Sequence, residues 1–162
     1  VPGLLQTPGY AHAITALATS AEVVETLVAE RLERQKVLNR LGGPRYVAFL
    51  DEAALRRAYG SADVMAHQIQ WLIDLGKLPH ISVHVIPFRH GGYRAPGYFS
   101  LLDFHEKPGI VYVEQEGATG FLHEPGDVHR FREIVATLER VALGSAESVN
   151  FLSRVAADYE RG

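Results

Sequence analysis

Apolar positions recur along this chain first at helical and then at strand intervals, and the changes of interval mark out its elements. Tyr10, Ile14 and Leu17 fall on one helical face after Thr7-Pro8. A threonine hydroxyl can cap there, and the fixed φ of proline suits a first helical turn. Ser20 opens a longer helix predicted to run to about Leu41. Val24, Leu27, Val28, Leu38 and Leu41 are its apolar positions, set among Glu22, Glu25, Glu30, Arg31, Glu33, Arg34 and Lys36. Gly42-Gly43-Pro44 ends it, glycine permitting a left-handed cap and proline preventing continuation. "RYVAFLD" (45–51) then reads as a buried strand, followed by the short helical phrase "EAALRRA". Ser61 begins a third long helix, with Val64, Ile69, Leu72 and Leu75 facing inward and Gly76 near its end.

After Pro79 the period shortens to two. Ile81, Val83 and Val85 alternate in a half-buried strand closed by Pro87. A strand, a helix and a second strand predict a parallel βαβ unit. "YFSLLDFH" (98–105) and "IVYVEQE" (110–116) flank Glu106-Lys107-Pro108-Gly109, a hairpin signal in which proline and glycine pre-set the turn. Val128, Phe131, Val135, Leu138 and Ala142 predict a further helix, and Val149, Leu152, Ala156 and Tyr159 a last one from Ser145. The expected fold class is α/β. It comprises a mixed sheet of about four strands, one βαβ unit plus an antiparallel hairpin, with helices packed on it in a single domain over residues 1–162.

Composition narrows the function classes. A chain of 162 residues with 47% apolar content can build one core of useful size. A formal charge of −3 gives no global electrostatic reason to bind nucleic acid or an anionic membrane. Zero cysteines exclude a disulfide framework, thiolate metal ligands and a thiol nucleophile. The apolar runs fall far short of the roughly 20 residues of a spanning helix, and no basic leader precedes an apolar stretch. The expectation is a soluble cytoplasmic domain without membrane contact.

Most candidate chemistry in the sequence has a plain structural alternative. His80 and His84 share a strand face, but their Cα atoms would sit roughly 13 Å apart, too far to chelate one ion. No metal and no cofactor are expected. Ser20, Ser61 and Ser145 stand where helix caps are expected, and Ser82, Ser100 and Ser148 lack a glycine-flanked elbow. Asp51-Glu52 ends the first predicted strand, where α/β proteins place ligand groups, yet acids also suit the first turn of the helix that follows. The loop "RHGGYRAPG" (89–97) carries Arg89, His90, Tyr93 and Arg94 among three glycines, and its arginines could clamp a carboxylate or phosphate. No helix is predicted directly after it, so it is no phosphate-binding fingerprint. Glu114 belongs to the same alternating set as Ile110 and Tyr112. It is a selector if that face lines a cavity and a polar strand residue if it faces water.

The phrases "VPGLLQTPGYAHA", "ERLERQKVL", "FLDEAALRR", "ISVHVIPF", "YFSLLDF", "IVYVE" and "LGSAESVNFL" stand here in an order that carries a resemblance. The chain resembles the C-terminal domain of unknown function of actinobacterial helix-turn-helix transcriptional regulators of the XRE class, sometimes antitoxin-like. The resemblance covers essentially the whole chain. It implies that an N-terminal DNA-binding domain precedes the opening phrase and is missing from this chain, so that DNA is contacted only through that domain. It supplies no catalytic residue. The expectation is a regulatory domain, not an enzyme, that senses a small-molecule effector and signals to the DNA-binding half. Arg89, Arg94, Tyr112 and Glu114 are the candidate ligand contacts, in a cavity framed by the first strand's end, the 89–97 loop and the 110–116 strand. The alternative is an interaction or dimerisation module that docks a small partner protein or a second copy. An exposed apolar stripe on the first two helices would favour it.

Overall fold

Strand-forming residues cluster in two places, and in the computed structural model, which describes residues 1–115 and 117–162, each cluster builds its own sheet. The first is a parallel pair, β1 (Tyr46–Asp51) and β2 (Ile81–Ile86), in the register Tyr46↔Ile81 to Asp51↔Ile86. The second is antiparallel, with β3 (Tyr98–Leu102), β4 (Ile110–Gln115) and β5 (Ala118–Leu122) in the order β3-β4-β5. The α/β class, the βαβ unit and the 98–115 hairpin are as expected. The strands divide between two sheets instead of joining one, and β5 is added to them. The chain forms two compact units, Val1–Arg89 with Ala142–Gly162, and His90–Val141.

In the first unit, α1 (Pro8–Ala18) and α2 (Ala21–Gln35) pack as a pair. α3 (Glu52–Arg56) follows β1, α4 (Ala62–Leu75) crosses to β2, and α6 (Ser145–Glu160) packs on both α4 and β2. Ala48, Leu50, Ile81, Val83 and Val85 of the sheet meet Ile69 and Leu72 of α4 and Leu152 and Val155 of α6 in one core. The long second helix stops earlier than its pattern predicts. α2 gives way to a 3-10 turn, Lys36–Asn39, which turns Leu38 into the core while Leu41 stays fully exposed. Thr7 and Ser61 cap their helices through side-chain oxygens, accepting from the Tyr10 and Val64 amides. Ser20 stands at the cap position of α2 without such a bond, and at α6 the cap is Gly144, whose N–H donates to Glu147 Oε2.

The opening phrase is held down by two glutamines and an arginine from the helices around it. Gln68, fully buried on α4, donates from Nε2 to Leu5 O (2.8 Å) and accepts at Oε1 from Thr7 N (2.7 Å). Gln35 Nε2 donates to Gly3 O and Gln6 O, and Arg31 donates to Gln6 Oε1. Those amides satisfy backbone groups that the short 3-10 turn Gly3–Leu5 leaves open. Leu5 can therefore enter the interior with its carbonyl satisfied, and Tyr10 does so with its amide on Thr7 Oγ1.

The far edge of β2 is also bonded from within, at Val85. Val85 N–H donates to Ser148 Oγ (3.0 Å), Leu143 N–H donates to Val85 O (2.8 Å), and Ser148 Oγ donates on to Leu143 O.

In the second unit, α5 (Pro125–Val141) packs on β3 and β4. Its Val128, Phe131, Ile134 and Leu138 are buried. Val135, expected on that face, is only half-buried, and Ile134 takes the inner position. At the hairpin, a Cβ on Gly109 would lie 3.0 Å from Asp103 Oδ1 and 3.1 Å from both Arg132 NH2 and Val128 Cγ1, so a larger residue there would have to push the Asp103–Arg132 ion pair (2.6 Å) and Val128 aside by a few tenths of an ångström.

Candidate functional site

Period-two alternation gives the three-stranded sheet two faces, and the register decides which residues share each. Phe99, Leu101, Val111, Val113 and Leu122 belong to one set. Val111 is fully buried, and the Phe99 ring lies 5.0 Å from that of Phe131 on α5. The other set therefore turns away from α5. Across the strands it aligns Tyr98 with Glu114 and Thr119, Ser100 with Tyr112 and Phe121, and Leu102 with Ile110.

That second face is apolar and open. Phe121 is 67% exposed, Tyr98 44% and Leu102 41%. The Tyr112 and Phe121 rings meet at a tilt of 47° with 5.2 Å between centroids, and the Tyr98 and Ser100 hydroxyls are 3.3 Å apart. Glu114, exposed beside Tyr98, contributes one negative charge. At the strand ends Glu114, Gln115, Gly117, Ala118 and Thr119 line a shallow, open groove. Aromatic rings on a rigid sheet, with one carboxylate among them, present contact area at little cost in side-chain ordering.

The sequence-predicted contacts divide between the units. Tyr112 and Glu114 share the open face, two residues apart on β4. Arg94 is exposed in the loop before β3 and belongs to the same unit. Arg89 is exposed in the 3-10 turn Phe88–His90, at the end of a segment of the first unit. The last residue of the predicted 110–116 strand, Glu116, lies outside the described residues. Tyr98 and Phe121, the two most exposed aromatic residues of the face, were not singled out by the sequence. The alternation that grouped Glu114 with Tyr112 would have found Tyr98, but not which face α5 covers.

Other polar candidates have structural employment. Asp51 Oδ1 caps α3 by accepting from Ala53 N (2.7 Å). Glu52, buried at the carboxyl end of the parallel pair, accepts from Phe88 N at Oε2 (2.8 Å) and from Arg56 Nε at Oε1 (2.6 Å), tying together the exits of β1 and β2. The bond to Glu52 holds the Arg56 proton more firmly than usual. His80 Nε2 and His84 Nδ1 are each 2.9 Å from a backbone carbonyl, of Leu38 and Leu143, and His84 stacks on Phe49 at 5.5 Å. Among the described residues no group of three histidine or acidic side chains is placed to hold a metal ion, and no helix is long and apolar enough to cross a membrane.

A second exposed apolar strip lies on the paired helices of the first unit. Leu17 of α1 is 74% exposed, and Val23 and Leu27, one turn apart on α2, are each about two-fifths exposed.

Compared with known proteins, residues 1–154 match the model of one family, the domain of unknown function DUF5753, and the chain belongs to that family. No curated protein and no solved structure matches it.

Proposed function

We propose that this DUF5753 domain is the regulatory half of an XRE-class, antitoxin-like transcriptional regulator of the cytoplasm. On this reading it works by docking a small partner protein, and DNA is contacted only through a separate helix-turn-helix domain. The observation that carries docking is the open aromatic face of β3-β4-β5, where Phe121 is two-thirds exposed, pairs across the strands with Tyr112 and shares the face with Tyr98. Interface energy concentrates in such aromatic anchors, and contiguous apolar surface is costly to leave open on an unpartnered protein. The exposed Leu17, Val23 and Leu27 point the same way. Catalysis is disfavoured because Asp51, Glu52, His80 and His84 each serve a backbone or side-chain partner. Regulation follows if the partner binds two conformations of the regulator unequally.

Small-molecule sensing is the second reading, favoured by the groove at Glu114–Thr119, where a carboxylate and a threonine would suit a cationic or hydroxylated effector. Native mass spectrometry of the full-length regulator isolated from its own cells separates the two. Docking predicts a co-purifying small protein that is lost on Phe121→Ser while the melting temperature stays put. A bound small molecule that survives Phe121→Ser would replace docking with sensing.

A further inference from the structure

The open face of β3-β4-β5 has the outline of a single helix and carries one charge, at one end. Resting on the docking reading above, we infer that the partner lays an amphipathic helix along these strands and sets a lysine or arginine of that helix against Glu114.

Register fixes what the partner meets. The rows of side chains across the face run from Tyr98, Glu114 and Thr119 at one end to Leu102 and Ile110 at the other. Three strands at a spacing of about 4.8 Å put the outer two about 10 Å apart, the diameter of one α-helix. From Tyr98 to Leu102 the strand advances about 13 Å, a length that about nine helical residues span. The opposite face shows the same fit. One helix, α5, packs there, and its buried Val128, Phe131, Ile134 and Leu138 are spaced by threes and fours. A helix on the open face completes three layers, and its contacts recur at i, i+3 or i+4 and i+7.

Charge selects the occupant. Glu114 is exposed, and neither lysine nor arginine stands among the strand residues that share its face. A carboxylate covered without a cation loses its water and gains nothing in return. A second copy of the chain supplies no cation. A two-fold axis along the middle strand sets Glu114 against Glu114 of the other copy, and an axis across the strands sets it against Ile110. A cation on the partner removes that cost. Tyr98 lies directly across from Glu114 on β3, where its ring can take the apolar stem of a lysine or the plane of an arginine. Phe121 and Leu102, both exposed, take the apolar residues of the helix.

A library of random peptides of about 16 residues, enough for four helical turns, is selected on the wild-type chain and re-screened on Phe121→Ser. Peptides that need Phe121 are expected to carry apolar residues at i, i+3 or i+4 and i+7 with one lysine or arginine, and to lose binding when a central residue is replaced by proline. Followed by fluorescence anisotropy, Phe121→Ser should weaken such a peptide about thirtyfold or more, and Glu114→Lys about tenfold. Selection on Glu114→Lys should exchange the cation for an aspartate or glutamate. Both substitutions fall on exposed side chains and should leave the melting temperature unchanged. In the full-length regulator, Glu114→Lys should release the co-purifying protein as Phe121→Ser does. Binders with period-two apolar residues, tolerance of the central proline, or a cation preference that survives Glu114→Lys overturn the helix or its charge and leave docking standing. So does a co-purifying protein released by Phe121→Ser but retained by Glu114→Lys. A wild-type dimer that Phe121→Ser dissolves gives the face to a second copy and overturns the inference. If no peptide depends on Phe121 the inference also falls, and the native mass spectrum of the regulator decides separately whether docking falls with it.

Discussion

Replacing Gln68 by leucine tests whether the opening segment is held by hydrogen bonds or merely rests on the helices. Leucine keeps most of the side-chain volume, so the change acts on polarity more than on packing. It removes two bonds of 2.7 and 2.8 Å and leaves Leu5 O and Thr7 N–H without partners. Leu5 is fully buried, so its carbonyl bears close to the whole desolvation penalty, whereas half-buried Thr7 can regain some water. At about 1–3 kcal/mol for a fully buried group, the loss comes to about 2–4 kcal/mol. Release of the segment offers no escape, because lifting Leu5 and Tyr10 out of the core costs about 1.5–3 kcal/mol for each. Urea unfolding followed by circular dichroism should show a lowered midpoint at unchanged slope, with faster exchange of the Thr7 amide. Gln70→Leu, on the exposed side of the same helix, should stay within about 0.5 kcal/mol. A Gln68→Leu protein as stable as Gln70→Leu, with Thr7 still protected, would refute the reasoning.

Three other outcomes are expected. Glu52→Ala should cost about 2–3 kcal/mol in thermal denaturation, because it strips the acceptor from Phe88 N–H, whereas Arg56→Ala should cost under about 1 kcal/mol, its guanidinium being well exposed; equal losses would assign the ion pair, not the backbone bond, as the stabilising contact. Burial first, and then the neighbouring Tyr59 and Tyr159, push the Tyr10 hydroxyl up from its ordinary 10 to about 12. The folded state then holds a proton that the unfolded state loses, so this contribution is complete below pH 10 and disappears as pH rises to 12; urea midpoints across that window should fall less steeply in Tyr10→Phe, and parallel slopes would contradict it. Ser148→Ala leaves the Val85 amide of a buried strand without its acceptor and should lower stability by about 1–3 kcal/mol, measured by the same urea titration; a neutral result would mean that water or a neighbouring group takes over the amide.

Much of the fold could be read from periodicity because most elements bury one face and show it. Ile81, Val83 and Val85 alternate as a strand should, and Leu72 and Leu75 lie inward on the helix predicted for them. β5 is not legible in the sequence because "ATGFL" has no alternation and a central glycine. The division into two sheets was out of reach, since alternation says which face a residue takes and nothing about which strand lies beside it. The second helix is shorter than its pattern predicts because Leu38 keeps its inward position through a tighter turn. Of the candidate site, the shared face of Tyr112 and Glu114 was legible, but its exposure depended on where α5 packs. The glutamines that hold the opening segment were invisible, since nothing local distinguishes buried Gln68 from exposed Gln70.

Ser148 has a bearing on how many copies can ever join. A sheet with two sticky sides has a valence of two and can go on adding subunits into a fibre, since nothing in its geometry closes the series. Here one side is already taken by the chain's own α6, through a hydroxyl that takes the Val85 amide and a neighbouring backbone N–H that takes its carbonyl. A strand added on that side would have to displace both bonds at Val85. One serine near the start of the last helix thus helps keep this small parallel sheet from seeding an aggregate.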